Sequence, residues 1–293
     1  MTIEEAFSLN PFSGVNRRSR DVIIGEPDIT TEMAIRFVMA CDRYQFRLFA
    51  PLILLGLRMS ELVFLFRQQI KRGWLVIQRH PKLLYSPKSN GSREAPLLPI
   101  LERILLHRPQ SDESAFVFRR KRAASTPSWA ATKRTIIVEF NSRCSCASAA
   151  TMETRIKIRD EMMREAGALT PRAIESQFRQ VHKLLGWPPE ATLHKYRHLF
   201  QSTMHNAGVP EKDCQLLLGH ARGNSVTNCY THVSRQDLRT HYENAIAKRW
   251  SLLLATVEKR AIELGFIEQD CRTGDRILGG PDAFARSNMN SMS

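Results

Sequence analysis

Long apolar runs are missing from this 293-residue chain. The greasiest stretch, residues 48–66, is broken by Arg58 and Glu61, whereas a membrane-spanning helix needs about 20 mostly apolar residues, so no membrane span is expected. Cysteine is sparse and scattered: the six at positions 41, 144, 146, 214, 229 and 271 form neither a disulfide framework nor paired zinc knuckles, and they read as free thiols. The first residues carry Glu4 and Glu5 and no charged-then-apolar leader, so no secretory signal is expected and a reducing cytoplasm is the expected location. Acidic residues are outnumbered, 29 Asp+Glu against 43 Lys+Arg, for a net charge of +14.

The surplus of positive charge attracts polyanions, and nucleic acid is the commonest polyanion inside a cell. With 43% apolar residues the chain can bury a core, which excludes a disordered basic tail. The run Arg119-Arg120-Lys121-Arg122 reads as a phosphate-contacting stripe, a localisation signal or a merely solvated surface.

Along the chain, residues 1–29 carry Pro11, Gly14, Gly25 and Pro27 without periodicity and read as an extended lead-in. Thr31 is expected to cap a first helix through Met33, Ile35, Phe37, Val38 and Cys41. A second helix is expected over 44–55, ended by Gly56, and Ser60 is expected to cap a third through Glu61, Leu62 and Leu65. Short strands are expected at Trp74-Leu75-Val76-Ile77-Gln78, Leu83-Leu84-Tyr85 and Ala95-Pro96-Leu97. The tight-turn dipeptide Asn90-Gly91 puts Lys88 on or just before a hairpin tip, and Pro87 and Pro96 argue for an edge strand or a small sheet. Helix returns over 99–107. The Ala/Ser/Thr-rich region of about 121–170 reads as a long, partly mobile insertion. Helices follow from Pro171 through Leu185, over 192–206, from Pro210 to Gly219, and from Ser234 through Leu238, Tyr242, Ile246 and Trp250. Beyond about Arg272 disorder is expected.

Several local patterns carry chemistry. His194 and Arg197 stand three apart on a helix and project toward one ligand. Arg58, just after a helix-ending glycine, can bring a second guanidinium, and two planar forks suit a phosphodiester whose transition state spreads negative charge over non-bridging oxygens. His220, following Gly219, can donate a third hydrogen bond. A cluster of cations favours the phenolate of a nearby tyrosine and so activates it as a nucleophile; Tyr230 is the candidate. His194 and His198 are also spaced like two zinc ligands with His220 as a third, but Lys195 stands where metalloprotease chemistry needs Glu, and Arg197 would repel a dication. No metal site is expected.

The order Gly56-Leu57-Arg58-Met59-Ser60-Glu61-Leu62, hairpin-borne Lys88, His194-x-x-Arg197, Leu218-Gly219-His220 and Tyr230 resembles the tyrosine recombinases, the phage-integrase family of site-specific DNA strand-exchange enzymes. The resemblance spans roughly residues 30–250 and implies an α+β, mostly α, catalytic domain with a small antiparallel sheet over residues 30–255. Residues 256–293 are then a helix end and a disordered tail, and the final helix docks on a neighbouring protomer. The resemblance further implies that Tyr230 attacks a DNA phosphate to form a 3′-phosphotyrosyl link, that Lys88 protonates the leaving 5′-oxygen, that His194 assists proton movement at the tyrosine, and that Glu61 orients the active-site cations. It implies no cofactor, double-stranded DNA as partner, a homo-oligomer assembled on DNA and a nucleoid-associated location. His198 is expected to pack internally, and Trp187 and Trp250 to be core or interface residues. Family members carry a helical DNA-clamping domain ahead of the catalytic one, for which residues 1–29 are too short; a truncated start, a separate clamping subunit and a mobile-element remnant stay open. The insertion near 121–170, Pro87 before Lys88, and Lys195-Tyr196 inside the His–Arg motif depart from the family pattern. A type IB topoisomerase shares the chemistry, and a catalytically inactive DNA-binding remnant would share the fold.

Overall fold

The computed structural model describes residues 29–87, 92–107, 112–121, 123, 126–146, 151–187, 192–219 and 233–267. The lead-in at 1–28, the Asn90-Gly91 turn and the tail beyond 267 lie outside them.

Capping side chains define the first two helices. Thr30, one residue before the expected cap, accepts the Met33 N–H through Oγ1 at 3.2 Å and starts α1 (Thr31–Ala40). Asp42 and Gln45 form a reciprocal capping box at 2.8 and 3.0 Å that starts α2 (Arg43–Leu55). From Phe46 on, α2 has a single half-buried residue, Arg47, and it runs through the core as the central helix. It stops at Gly56, whose φ of +57° is left-handed; a Cβ there would stand 2.7 Å from the Phe200 ring. The chain then turns into α3 (Met59–Val63), where Arg58, and not Ser60, holds the N-cap position.

Three strands follow, β1 (Ile70–Lys71), β2 (Trp74–Ile77) and β3 (Arg93–Pro96), antiparallel in the order β1-β2-β3. Trp74 pairs with Pro96 and Ile77 with Arg93, so the proline lies on an edge strand, where its missing donor is tolerated. The expected strand Leu83-Leu84-Tyr85 is instead a short 3₁₀ turn over Pro81–Leu83 with Leu84 at φ +52°. Arg159 explains the difference: its guanidinium donates to the Leu83 and Leu84 carbonyls at 3.3 and 2.8 Å and stands over the Phe64 ring, so these groups are satisfied by a side chain in place of a ladder.

After α4 (Pro99–Leu106), most described residues of the expected mobile insertion fold into α5 (Lys133–Cys146) and α6 (Met152–Glu165), which pack on each other. Each buries only two side chains, Ile136 with Phe140 and Met162 with Met163, too narrow a stripe to announce a helix by periodicity. Then come α7 (Pro171–Leu185), α8 (Leu193–Asn206), α9 (Glu211–Leu218), α10 (Arg235–Arg249) and α11 (Ser251–Glu263). The expected last helix is two: Trp250, at φ −125°, breaks it, and its buried indole donates to Thr31 Oγ1 at 3.2 Å. α11 packs on α1 of its own chain, burying Leu253, Val257 and Ala261. The result is a mostly helical α+β body with a small three-stranded antiparallel sheet. No described helix is long and apolar enough to cross a membrane.

Candidate active site

Arg58 leaves the Gly56-Leu57 turn with its backbone N–H donated to Glu61 Oε2 at 2.8 Å. Its Nη1 donates to Glu61 Oε1 at 3.2 Å and to the Leu218 carbonyl at 3.4 Å. Arg197, buried on α8 at 4% exposure, donates through Nη1 to the Gly56 carbonyl and through Nη2 to the same Leu218 carbonyl. One oxygen at the end of α9 therefore receives both guanidiniums, and the helix end at α2, the start of α3, α8 and α9 are locked together around it. Gly219, at φ +61°, caps α9 directly afterwards.

One member of the cluster is invisible in the sequence pattern. Arg93 on β3 grips Glu61 bidentately, Nη1 to Oε1 at 2.5 Å and Nη2 to Oε2 at 2.9 Å, with 4% and 1% of the two side chains exposed. A lone arginine in an edge strand looks like a surface residue in the sequence; only its inward register in β3 distinguishes it. Burial works to raise the Glu61 carboxyl, but Arg93, the Arg58 backbone and Arg197 outweigh it and hold the group below the usual carboxylate range. Burial first, then the neighbouring guanidiniums of Arg58 and Arg93, pushes Arg197 down to about 9, still cationic at neutral pH. Three guanidiniums around a single carboxylate leave surplus positive charge, which suits an oxyanion.

His194 is exposed in the first turn of α8, its ring edge-on to His198 at 4.6 Å, so His198 is also an exposed residue and not an internal one. It lines a cavity of about 510 Å³ with Met59, the neighbour of Arg58, and with Phe178, Arg179 and Trp187. The structure thus brings together Arg58, Glu61 and Arg197, and sets His194 at the rim on the same helix. Lys88, His220, Tyr230 and Arg122 lie outside the described residues. The described flanks of the segment holding His220 and Tyr230 are anchored on β3: Gly219 closes over Arg93, where a Cβ would fall 2.8 Å from Cδ, and Arg235, at the start of α10, pairs with Glu94.

The described members of the basic run each have a partner within the chain. Arg119 faces Asp112 at 3.7 Å, Arg120 donates to the Arg164 carbonyl at 2.5 Å, and Lys121 pairs with Asp42 at 2.6 Å.

A family model described as the Phage integrase family matches residues 30–237. The chain belongs to that family. Among curated relatives of this phage-integrase member, the tyrosine recombinase XerC of Staphylococcus aureus is 38% identical over 78 residues, 27% of this chain and 26% of that protein. XerC of Leptospira interrogans is 34% identical over 77 residues, 26% of this chain and 24% of the relative. The match spans about a quarter of the length of these relatives. Solved structures that it resembles include the Tn1549 transposon integrase in complex with transposon right end DNA, at 17% identity and a TM-score of 0.45 over 76% of this chain and 66% of that one. XerA recombinase is similar at 16% identity and a TM-score of 0.39, over 82% and 70%.

Proposed function

We propose that this phage-integrase-family chain cuts and rejoins double-stranded DNA through a 3′-phosphotyrosyl intermediate on Tyr230. The observation that carries the reading is the meeting of Arg58 and Arg197 on the Leu218 carbonyl, two residues before His220. A phosphodiester seated there has its non-bridging oxygens facing two guanidiniums, whose hydrogen bonds strengthen as negative charge develops.

The choice of nucleophile is supported by the other tyrosines. The chain has five. Tyr44 donates to the Arg119 carbonyl at 2.7 Å and burial pushes its hydroxyl up to about 12. Tyr85, stacked on Phe64 at 3.9 Å, is likewise pushed up to about 12 by burial. Tyr196 and Tyr242 are fully buried and raised further, and Tyr242 donates to the Leu54 carbonyl at 3.0 Å. These four are poor phenolates, packed in the core or against it, so the role falls to Tyr230.

In the proposed reaction the Tyr230 oxygen, its proton passing toward His194, attacks phosphorus; the bond to the 5′-oxygen breaks, and Lys88 protonates the leaving hydroxyl. A partner 5′-hydroxyl reverses these steps, so the phosphodiester energy is retained and neither nucleotide hydrolysis nor a cofactor is required. Strand exchange needs a second copy on the same DNA, and a separate clamping subunit would add further backbone contacts.

The test uses labelled duplexes randomised around a nick, which trap the cleaved state because the short fragment bearing the freed 5′-hydroxyl diffuses away. A denaturation-resistant protein–DNA adduct that disappears in Tyr230→Phe is expected. A mobility shift that weakens steeply with salt, with no adduct from any duplex, would instead mark a DNA-binding protein without turnover.

A further inference from the structure

β3 supplies two consecutive residues that touch both ends of the segment carrying His220 and Tyr230: Arg93 beneath Gly219 and Glu94 paired with Arg235. Of the two, Arg93 reaches the reaction centre. We propose that Arg93 is a positioning residue that, by occupying Glu61, keeps the Arg58 guanidinium turned toward the substrate phosphate and, by filling the space under Gly219, sets the point from which the chain leads into His220. This rests on the reading of the site as a phosphodiester-cleaving centre.

The stoichiometry of the Glu61 carboxylate carries the argument. It accepts from Arg93 Nη1 and Nη2, from Arg58 Nη1 and from the Arg58 backbone N–H, which fills the roughly four lone-pair positions of a carboxylate. Arg93 holds the bidentate face, so Arg58 reaches Glu61 with one nitrogen only, at the longer 3.2 Å, and the rest of its fork is not spent on the carboxylate. Take Arg93 away and Glu61, with 1% of its side chain exposed, has Arg58 as its nearest cation. Bidentate Arg–carboxylate pairing is the favoured geometry, so Arg58 would be drawn onto Glu61 and away from the substrate. Gly219 reports the second contact. A Cβ there would fall 2.8 Å from Arg93 Cδ and 2.9 Å from Nη1, so the glycine and the arginine stem are fitted to each other.

The experiment compares wild type, Arg93→Met, Arg93→Lys, Glu61→Gln and the Arg93→Met/Glu61→Gln double variant on the nicked duplex recovered from the randomised pool, with circular dichroism confirming that each is folded. Single-turnover adduct formation in Arg93→Met is expected to slow at least tenfold with duplex Kd within threefold of wild type. Arg93→Lys, which keeps the charge but not the fork, falls between. The decisive reading is the double variant: a neutral amide does not capture Arg58, so adding Glu61→Gln to Arg93→Met is expected to recover rate at least threefold. A wild-type rate in folded Arg93→Met or Arg93→Lys, or a double variant slower than Arg93→Met, overturns the proposal. Titration with inorganic sulfate separates the proposal from the function on which it rests. If wild type leaves no adduct, the strand-cutting reading fails, and the positioning role then stands only if Arg93→Met weakens sulfate binding as much as Arg58→Ala does; unchanged sulfate affinity overturns it.

Discussion

Two clusters of cations stand out among the described residues, and they are balanced differently, by two carboxylates at the first and by a single buried one at the second. At Arg119-Arg120-Lys121, Arg119 shares Asp112 with Arg67, Arg120 donates to the Arg164 carbonyl and Lys121 pairs with Asp42, and the run ties the chain after Phe118 to α2 and α6. Around Glu61, three guanidiniums share one buried carboxylate and two backbone carbonyls, so positive charge is left over. Density of Lys and Arg along the sequence therefore does not reveal which cations gather around a buried counter-charge. What sets the Glu61 cluster apart is that its guanidiniums gather around one buried carboxylate, an arrangement that exists only after folding.

The comparison breaks most severely at Glu61. Replacing it with Ala leaves Arg93 and Arg197 buried without a counter-charge, a class of change that costs about 3–5 kcal/mol, and urea denaturation followed by circular dichroism is expected to show a loss of that size. The same carboxyl makes stability acid-sensitive. Its folded value lies below the usual carboxylate range, so its contribution is complete above the unfolded value of about 4.3 and is lost as pH falls through the folded one. Wild type is expected to lose more stability than Glu61→Gln between neutral pH and pH 3. Arg197→Ala comes next. It removes a donor to the phosphate in the proposed reaction and orphans the Gly56 carbonyl; adduct formation is expected to fall about 10²–10³-fold, with about 1–3 kcal/mol lost in urea.

The division between legible and illegible features follows from where the physical signal resides. Gly56 and Gly219 could be read as helix ends because a left-handed cap is a local property of glycine, and both are left-handed here. Arg58, Glu61 and Arg197 were legible through the family pattern, and the structure brings them within hydrogen-bonding reach of shared atoms. Arg93 was not, because its meaning lies in a partner 32 residues away. The Leu83-Leu84-Tyr85 strand failed for a similar reason: an apolar triplet predicts a ladder, whereas Arg159 on α6 takes the carbonyls. α5 and α6 were hidden by composition, since two buried side chains apiece leave almost no apolar stripe. The break at Trp250 was hidden by continuity, since the four-residue spacing runs straight through a residue whose backbone leaves the helix to reach Thr31.

The smallest effect sharpens the comparison from its other side. Lys121 and Asp42 are 52% and 44% exposed and stand at 2.6 Å, and exposed pairs of this kind contribute about 0–1 kcal/mol because solvent screens them and ordering two side chains costs entropy. Lys121→Ala is therefore expected to change the unfolding free energy measured in urea by no more than that. Its effect on DNA is the more telling number. If the run is a structural tether, the slope of log Kd against log salt for duplex binding stays at the wild-type value; each phosphate that goes unneutralised lowers the slope by about 0.9. A slope reduced by that amount would show that Lys121 exchanges Asp42 for a phosphate when DNA arrives, and the two clusters would then differ in timing and not in kind.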